Sequence, residues 1–285
     1  MNLELQLSDV PPVPQGLTLY HLAPALGTEV HGIDLRGELS SEVVDFLKAL
    51  LLRRKVIFFR DQEISVDRQI EICRNWGDLE IIDFLPQHST HPEALHIKRD
   101  KESRGYENIW HSDVTWRECP SKASMLRSVN VPEVGGDTMW ACMETAYEMM
   151  PEPLKRFCEG LTAVHSVAQG LAYTQGFDKM AEQVKRFPPQ AHPVIRTHPE
   201  TGRKSLYVNR AHTSYLRGVD RHLGAELLSL LYRRADVPEV QCRFRWRANS
   251  IAFWDNRSTQ HYAISDYFPA EREMYRVTIA GDKPF

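Results

Sequence analysis

The stretch 110–115 places a histidine and an aspartate two residues apart, and this pair constrains the chain more than any other feature. Its neighbours Trp110, Val114 and Thr115 favour β-strands. On a strand, residues i and i+2 point to the same face, so we predict that His111 and Asp113 lie side by side. An imidazole and a carboxylate are two of the three ligands in a facial triad that binds Fe(II) and leaves positions open. The pair alone is also compatible with a surface charge or a hydrogen-bonded core pair.

A second apolar stretch, 250–261, runs into a polar turn and supplies His261 as a candidate third ligand. Downstream, Arg272, Met274 and Arg276 would share one face of a strand over 272–279. Two guanidinium groups that point into the same interior are costly unless each meets an anion, and the planar arginine fork suits carboxylate, sulfonate and phosphate groups. A triad beside paired arginines therefore favours anionic co-substrates. The alternative is that both arginines are surface charges on an edge strand.

With these residues in place, the chain resembles the Fe(II)/2-oxoglutarate-dependent dioxygenases of the taurine dioxygenase and 2,4-dichlorophenoxyacetate dioxygenase group. The resemblance runs from about Leu17 to the end, and several separated motifs agree in order. They are Trp110-His111-Ser112-Asp113, Gly135-Gly136-Asp137-Thr138, the segment 192–199, Trp254-Asp255-Asn256-Arg257 with His261, Arg272 with Arg276, and the segment 281–285.

The resemblance implies a ligand set and a reaction. Fe(II) would be bound by His111, Asp113 and His261, with 2-oxoglutarate and O2 as co-substrates. The distal carboxylate of 2-oxoglutarate would be held by Thr138 and Arg272, and Arg276 would lie near a carboxylate or the anion of the substrate. The expected reaction hydroxylates a small anionic organic molecule (a sulfonate such as taurine, an alkyl sulfate or a carboxylate) and yields succinate and CO2. The expected substrate-binding residues are Ile82, Leu85, Asn108, Val114, His212 and Arg276.

The chain departs from the taurine enzymes in its expected substrate pocket. Where those enzymes have a histidine and a tyrosine, a gapless alignment places Ile82 and Leu85, which cannot donate a hydrogen bond. His212 stands where an aromatic residue is expected. Because a buried apolar wall favours more carbon, at about 0.8 kcal/mol per methylene, we predict a substrate larger and more apolar than taurine.

Composition excludes several other classes of function. The net charge of −3 gives no indication of a nucleic-acid partner. The N-terminus lacks a signal-peptide pattern, and no apolar run approaches a membrane span. The five cysteines are scattered, which favours neither a disulfide framework nor a zinc motif and is simplest in a reducing cytoplasm. We expect a small anionic organic substrate as partner and a homo-oligomer, a dimer or a tetramer.

Local patterns predict a mixture of helices and many short strands. Residues 1–16 read as a loose N-terminal arm and 17–285 as a single domain. A helix follows an N-cap at Ser40 or Ser41, another covers 65–75, and 143–159 is helical with a break. Segments 55–59, 95–98, 123–131 and 161–166 favour strands, and 240–246 and 249–254 are antiparallel strand candidates. The fold of 169–189 is left unassigned. Pattern alone supports only a mixture of α and β. The resemblance implies an α+β fold, a distorted double-stranded β-helix (jelly roll) core with flanking helices.

Two other functions remain open from the residues. Zinc accepts the same histidine and aspartate ligands and activates water, so the site could belong to a metal-dependent hydrolase. A non-catalytic jelly-roll binding protein would need no intact triad, so the presence of all three ligands argues against it. The further histidines, His165, His192 and His198, are expected to be structural because three ligands are already assigned.

Overall fold

A computed structural model describes residues 10, 12–82, 86–103, 105, 107–168 and 177–285. Most of the predicted N-terminal arm lies outside this set. The helices are α1 (Ser41–Arg54), α2 (Val66–Arg74), α3 (Met143–Glu148), α4 (Glu152–Glu159), α5 (Phe177–Arg186) and α6 (Arg221–Tyr232). No helix among the described residues is long and apolar enough to cross a membrane.

A seven-stranded sheet forms the larger layer of the molecule. Its neighbouring strands pair antiparallel, except that residues 28–31 run parallel to residues 56–59. In spatial order they are β1 (Thr18–His21), β2 (Thr28–His31), β3 (Val56–Phe59), β13 (Ile251–Asp255), β5 (Ala123–Asn130), β15 (Arg272–Ile279) and β4 (Ala94–Arg99).

Smaller sheets complete the fold. The one that carries part of the candidate site orders β12 (Gln241–Phe244), β6 (Thr138–Cys142) and β14 (Thr259–Ala263). A second orders β11 (Thr213–Leu216), β7 (Thr162–His165) and β8 (Gln190–Pro193), and the third pairs β10 (Lys204–Leu206) with β9 (Ile195–Thr197).

The two faces of the large sheet bury different residues of the same strand. Along β13, Phe253 lies in a core that α1 and α2 cover, whereas Trp254 lies in a second core together with Trp140 of β6 and Phe244 of β12. This division follows from the twofold alternation of side chains along a strand. The second core therefore packs the large sheet against the β12–β6–β14 sheet, and the helices lie outside these layers.

The helices begin where the sequence supplies caps. The Ser40 hydroxyl accepts a hydrogen bond from the Val43 amide at 3.3 Å, and Ser65 accepts one from Arg68 at 3.1 Å. A side-chain oxygen at this position satisfies an amide that has no partner within the helix. The capped helix α1 then buries Phe46, Leu47 and Leu50 against the large sheet, as their spacing predicts.

The structure confirms one predicted detail and completes two others. The break predicted in the helix over 143–159 lies at Pro151, which cannot donate a backbone hydrogen bond and is the N-cap residue of α4. The strand candidates 240–246 and 249–254 both form strands, but they pair in different sheets, β12 with β6 and β13 with β3 and β5. Within the unassigned segment 169–189, the structure describes 177–189 and shows helix α5 there.

Candidate active site

Two histidines from distant parts of the chain are joined through their backbones. The amide of His111 donates to the carbonyl of His261 at 3.1 Å, and the amide of His261 donates back at 2.7 Å. Their ring centroids lie 4.1 Å apart. Since His261 belongs to β14, this isolated bridge fixes His111 at the edge of the smaller sheet.

Beyond this bridge the stretch 110–115 is a turn, so the strand predicted there is wrong. Val114 has a φ of 46°, which β-branched residues rarely adopt. A tertiary hydrogen bond overrides the strand propensity, because the Ser112 hydroxyl donates to the Thr259 carbonyl. Within the turn itself, the Arg117 amide donates to the Val114 carbonyl at 2.9 Å. The turn nevertheless brings Asp113 beside both histidines.

The three predicted ligands converge on one point. One ligand atom of each of His111, Asp113 and His261 lies within 4.8 Å of the other two, and no other such group occurs among the described residues. Nδ1 of His111 lies 2.8 Å from the Ile109 carbonyl oxygen. Because that oxygen can only accept, Nδ1 donates and Nε2 keeps a lone pair for a metal. Two imidazoles and one carboxylate in this arrangement suit a divalent transition-metal ion.

The electrostatic surroundings keep Asp113 and His261 in their metal-binding forms. Burial would raise the pKa of Asp113, but Arg276, the two histidines and the Ser124 hydroxyl together hold that pKa well below its usual range. Burial and the nearby His111 lower the pKa of His261 well below its usual value. An ionised carboxylate and a neutral imidazole are the states that coordinate metals.

Both predicted arginines reach the same cleft as the histidines. Arg272 and Arg276 line it from β15, together with Thr138, His111 and His261. Nη1 of Arg276 donates to Oδ1 of Asp113 at 2.8 Å, and Nε of both arginines has no hydrogen-bond partner among the described residues. The prediction of two guanidinium groups on one interior face is therefore confirmed by the geometry.

The hydroxyl of Thr138 is oriented by Trp246, a residue to which the motifs assign no role. The indole Nε1 of Trp246 donates to Oγ1 of Thr138 at 2.9 Å. Because the indole can only donate, the hydroxyl proton of Thr138 is left for another acceptor. The ring centroid of Trp246 also lies 5.9 Å from the Cζ atom of Arg272, and the ring centroid of Tyr267 lies at the same distance. Thr138 and Arg272 thus share a neighbour as well as a cleft.

The other predicted substrate residues lie in three different settings. Ile82 and Val114 come together in a small apolar cluster with Leu95, Trp116 and Val167. His212 lies edge-on to the ring of His111, with centroids 6.3 Å apart, and its Nδ1 is buried without a partner among the described residues. Asn108 is exposed. None of Ile82, Val114, His212 and Asn108 is among the residues that line the cleft of the two arginines. Leu85 lies outside the described residues.

The extra histidines make buried contacts away from the cleft. His165 hydrogen-bonds the Thr115 hydroxyl at 3.0 Å, His192 donates to the Arg117 carbonyl at 2.9 Å, and His198 contacts Asp255 at 3.1 Å. None of the three belongs to the metal-binding group among the described residues. These contacts agree with the structural role expected for them.

Comparison with known proteins places the chain in a family. Residues 18–278 match the family model described as "Taurine catabolism dioxygenase TauD, TfdA family". The chain belongs to the TauD/TfdA family. It is an α-ketoglutarate (2-oxoglutarate)-dependent dioxygenase, and the resemblance drawn from its motifs is confirmed.

Individual relatives agree with this assignment. An alkylsulfatase of Acinetobacter baylyi is 38% identical, with 94% of this chain and 86% of the relative covered. An alpha-ketoglutarate-dependent sulfate ester dioxygenase of Pseudomonas putida is 35% identical, covering 94% and 91%. The crystal structure of a taurine dioxygenase from Burkholderia xenovorans superposes with a TM-score of 0.82 at 34% identity, covering 94% and 91%. These likenesses also confirm the predicted sheet-dominated α+β jelly-roll fold with flanking helices.

Proposed function

We propose that this dioxygenase uses Fe(II) and O2 to hydroxylate an alkyl sulfate at the carbon that carries the sulfate oxygen. Fe(II) bound by His111, Asp113 and His261 would supply the oxidising chemistry, driven by decarboxylation of 2-oxoglutarate to succinate and CO2. The hydroxylated carbon would then carry two oxygen substituents. Its collapse would release an aldehyde and inorganic sulfate.

One observation carries the proposal: two arginines on β15 face the cleft that holds the metal-binding group. Arg272, beside the proton-donating Thr138, would bind the distal carboxylate of 2-oxoglutarate through charge-assisted hydrogen bonds. Burial lowers the pKa of Arg272, and an anionic partner offsets that cost. Arg276 would bind the sulfate group of the substrate.

The apolar cluster beside Asp113 supports a substrate with an alkyl chain. Val114, adjacent to Asp113 in the chain, packs with the fully buried Ile82. These side chains would form the wall against which the alkyl chain lies, and His212, next to His111, would contact the polar end. Leu85 and Asn108 stay predictions as substrate contacts. The two sulfate-ester relatives agree with this preference for a sulfate attached to carbon.

Steady-state kinetics with a substrate panel test the proposal. Hexyl sulfate, hexanesulfonate, phenoxyacetate and taurine are compared with Fe(II) and 2-oxoglutarate present, and both succinate and inorganic sulfate are measured. Hexyl sulfate has a longer carbon chain than taurine, and burial of only two of its additional methylenes would strengthen binding by roughly tenfold. The kcat/KM for hexyl sulfate should therefore exceed that for taurine by at least about this factor. Release of sulfate in step with succinate identifies the reacting carbon.

The expected results have clear opposites. A kcat/KM for taurine above those for hexyl sulfate, hexanesulfonate and phenoxyacetate would show that the protein is a taurine dioxygenase. Sulfate release without O2 or 2-oxoglutarate would instead indicate the metal-dependent hydrolase.

The oligomeric state, a dimer or a tetramer, remains a prediction. Light scattering of the same preparation measures the mass of the assembly and tests it.

A further inference from the structure

We infer that Ser124 and Asn256 are positioning residues that hold Asp113 as a ligand through one oxygen, Oδ1. The inference rests on the proposed metal-dependent function, and it concerns side chains to which neither the motifs nor the relatives assign a role. Ser124 lies on β5 and Asn256 directly follows β13, so the large sheet itself would set the geometry of the metal ligand.

A closed cycle of hydrogen bonds connects these residues. The Ser124 hydroxyl donates to Oδ2 of Asp113 at 2.8 Å. Nδ2 of Asn256 donates to the Ser124 hydroxyl at 3.0 Å, and the Asp113 amide donates to Oδ1 of Asn256 across a longer 3.4 Å. The backbone and the carboxylate of Asp113 are therefore fixed relative to each other by the same two side chains.

The direction of every proton in the cycle follows from one donor. Nε1 of Trp254 donates to Oδ1 of Asn256 at 2.9 Å, and an indole nitrogen cannot accept. The amide oxygen of Asn256 must therefore face Trp254, which turns Nδ2 toward Ser124. The Ser124 oxygen then accepts, and its single proton is directed to Asp113.

This leaves the two oxygens of Asp113 with different surroundings. Oδ2 accepts from Ser124 and faces the sheet, whereas Oδ1 lies 2.8 Å from Nη1 of Arg276 and 3.8 Å from Nε2 of His261. Oδ1 is thus the oxygen that faces the histidine ligand. A carboxylate that bound through both oxygens would occupy a further coordination position, and a facial triad depends on leaving positions open.

Burial makes the cycle effective. Ser124 is fully buried, and Asp113, Trp254 and Asn256 are all at least 96% buried. With no water to replace a lost partner, a missing hydrogen bond leaves a polar group unsatisfied. Residues that orient metal ligands in this way typically change metal affinity by about 10- to 100-fold when they are replaced.

The chain offers a matched control on the same strand. Ser128 is as buried as Ser124 and points to the same side of β5, but its hydroxyl donates to the Arg247 carbonyl at 2.6 Å. Ser124→Ala and Ser128→Ala therefore each remove one buried serine hydroxyl from β5, and only the first disturbs Asp113. Ser124→Thr restores the hydroxyl as a conservative variant.

The test measures Co(II) binding to each variant in the absence of substrate. We expect the Kd for Co(II) to rise by roughly 10- to 100-fold in Ser124→Ala, and to stay within about twofold of the parent in Ser128→Ala and Ser124→Thr. The visible absorption of the Co(II) protein, which depends on coordination number, should change only in Ser124→Ala. Thermal unfolding of the metal-free proteins separates a loss of stability from a loss of affinity.

Two results would overturn the inference. Equal effects of Ser124→Ala and Ser128→Ala on the Kd would show that both serines act only through stability. An unchanged Kd and spectrum in Ser124→Ala would show that Asp113 needs no such support. Failure of the proposed function looks different, because then the unaltered protein itself would not bind Co(II) at the site. Loss of binding in His261→Ala verifies the location.

Discussion

Arg276 donates a hydrogen bond to Asp113, with Nη1 2.8 Å from Oδ1. The residue proposed to bind the substrate anion therefore also contacts a proposed metal ligand. A guanidinium group has five N–H donors in a fixed fork, and Nε of Arg276 has no partner among the described residues. One arginine can consequently hold Asp113 and an anion together, which would place the anion close to the metal.

The two arginines should affect different substrates. Arg272→Ala is expected to raise the KM for 2-oxoglutarate by roughly tenfold to more than a hundredfold, because a charge-assisted hydrogen bond is worth about 1.5–3 kcal/mol. Arg276→Ala should instead raise the KM for hexyl sulfate. Initial rates with each substrate varied in turn check both. An unchanged KM for 2-oxoglutarate in Arg272→Ala would assign that role to Arg276.

Each metal ligand should be indispensable. His111→Ala, Asp113→Ala and His261→Ala are expected to abolish substrate-dependent succinate formation and to leave the fold intact, since a three-ligand site has no spare donor. Circular dichroism of each variant checks the fold. Turnover near the parent rate in any one of them would remove that residue from the triad.

The sequence predicts the content of the site better than its local structure. His111, Asp113 and His261 were identified from residue type and family motifs, and the structure brings them within 4.8 Å. The strand expected at 110–115 is wrong because Val114 adopts a left-handed backbone conformation. That conformation depends on hydrogen bonds to residues far along the chain, and no local pattern encodes them.

Supporting residues were the hardest to predict. Asn256 lies within a recognised motif, but only the structure shows that its amide reaches Ser124 on another strand. Trp246 is the last residue of a predicted strand and carries no motif, although its indole orients Thr138. Roles of this kind depend on which strands are neighbours in the sheet, and the local sequence pattern does not determine which distant strands pair.

The apolar wall should discriminate by chain length. Ile82→Ala shortens a buried side chain in the cluster with Val114, so it should lower kcat/KM for hexyl sulfate by roughly tenfold while changing that for ethyl sulfate much less. Ile70→Ala is the control, because it makes the same substitution in the core beneath the helices, away from the cleft. Parallel kinetics with both sulfates measure the difference. Equal losses for the two chain lengths would exclude Ile82 from the pocket.

Acid should destabilise the metal-free protein through its buried histidines. Burial lowers the pKa of His165 well below its usual value and also lowers that of His192, and burial and His111 lower the pKa of His212 to about 3. Each group binds a proton in the unfolded chain, at a pKa near 6.5, before it does so in the folded protein. The free energy of unfolding is therefore highest above about pH 6.5 and falls below it, by up to about 1.4 kcal/mol per pH unit for each histidine.

Urea unfolding between about pH 7 and 5, with a chelator present, measures this slope. His165→Gln should reduce this slope by up to about 1.4 kcal/mol per pH unit, which corresponds to one proton. The loss of the contact with Thr115 lowers the free energy of unfolding at every pH and does not change the slope. If stability instead stayed constant from pH 7 to 5, or if His165→Gln left the slope of the parent protein unchanged, the buried histidines would not be the source of the acid sensitivity.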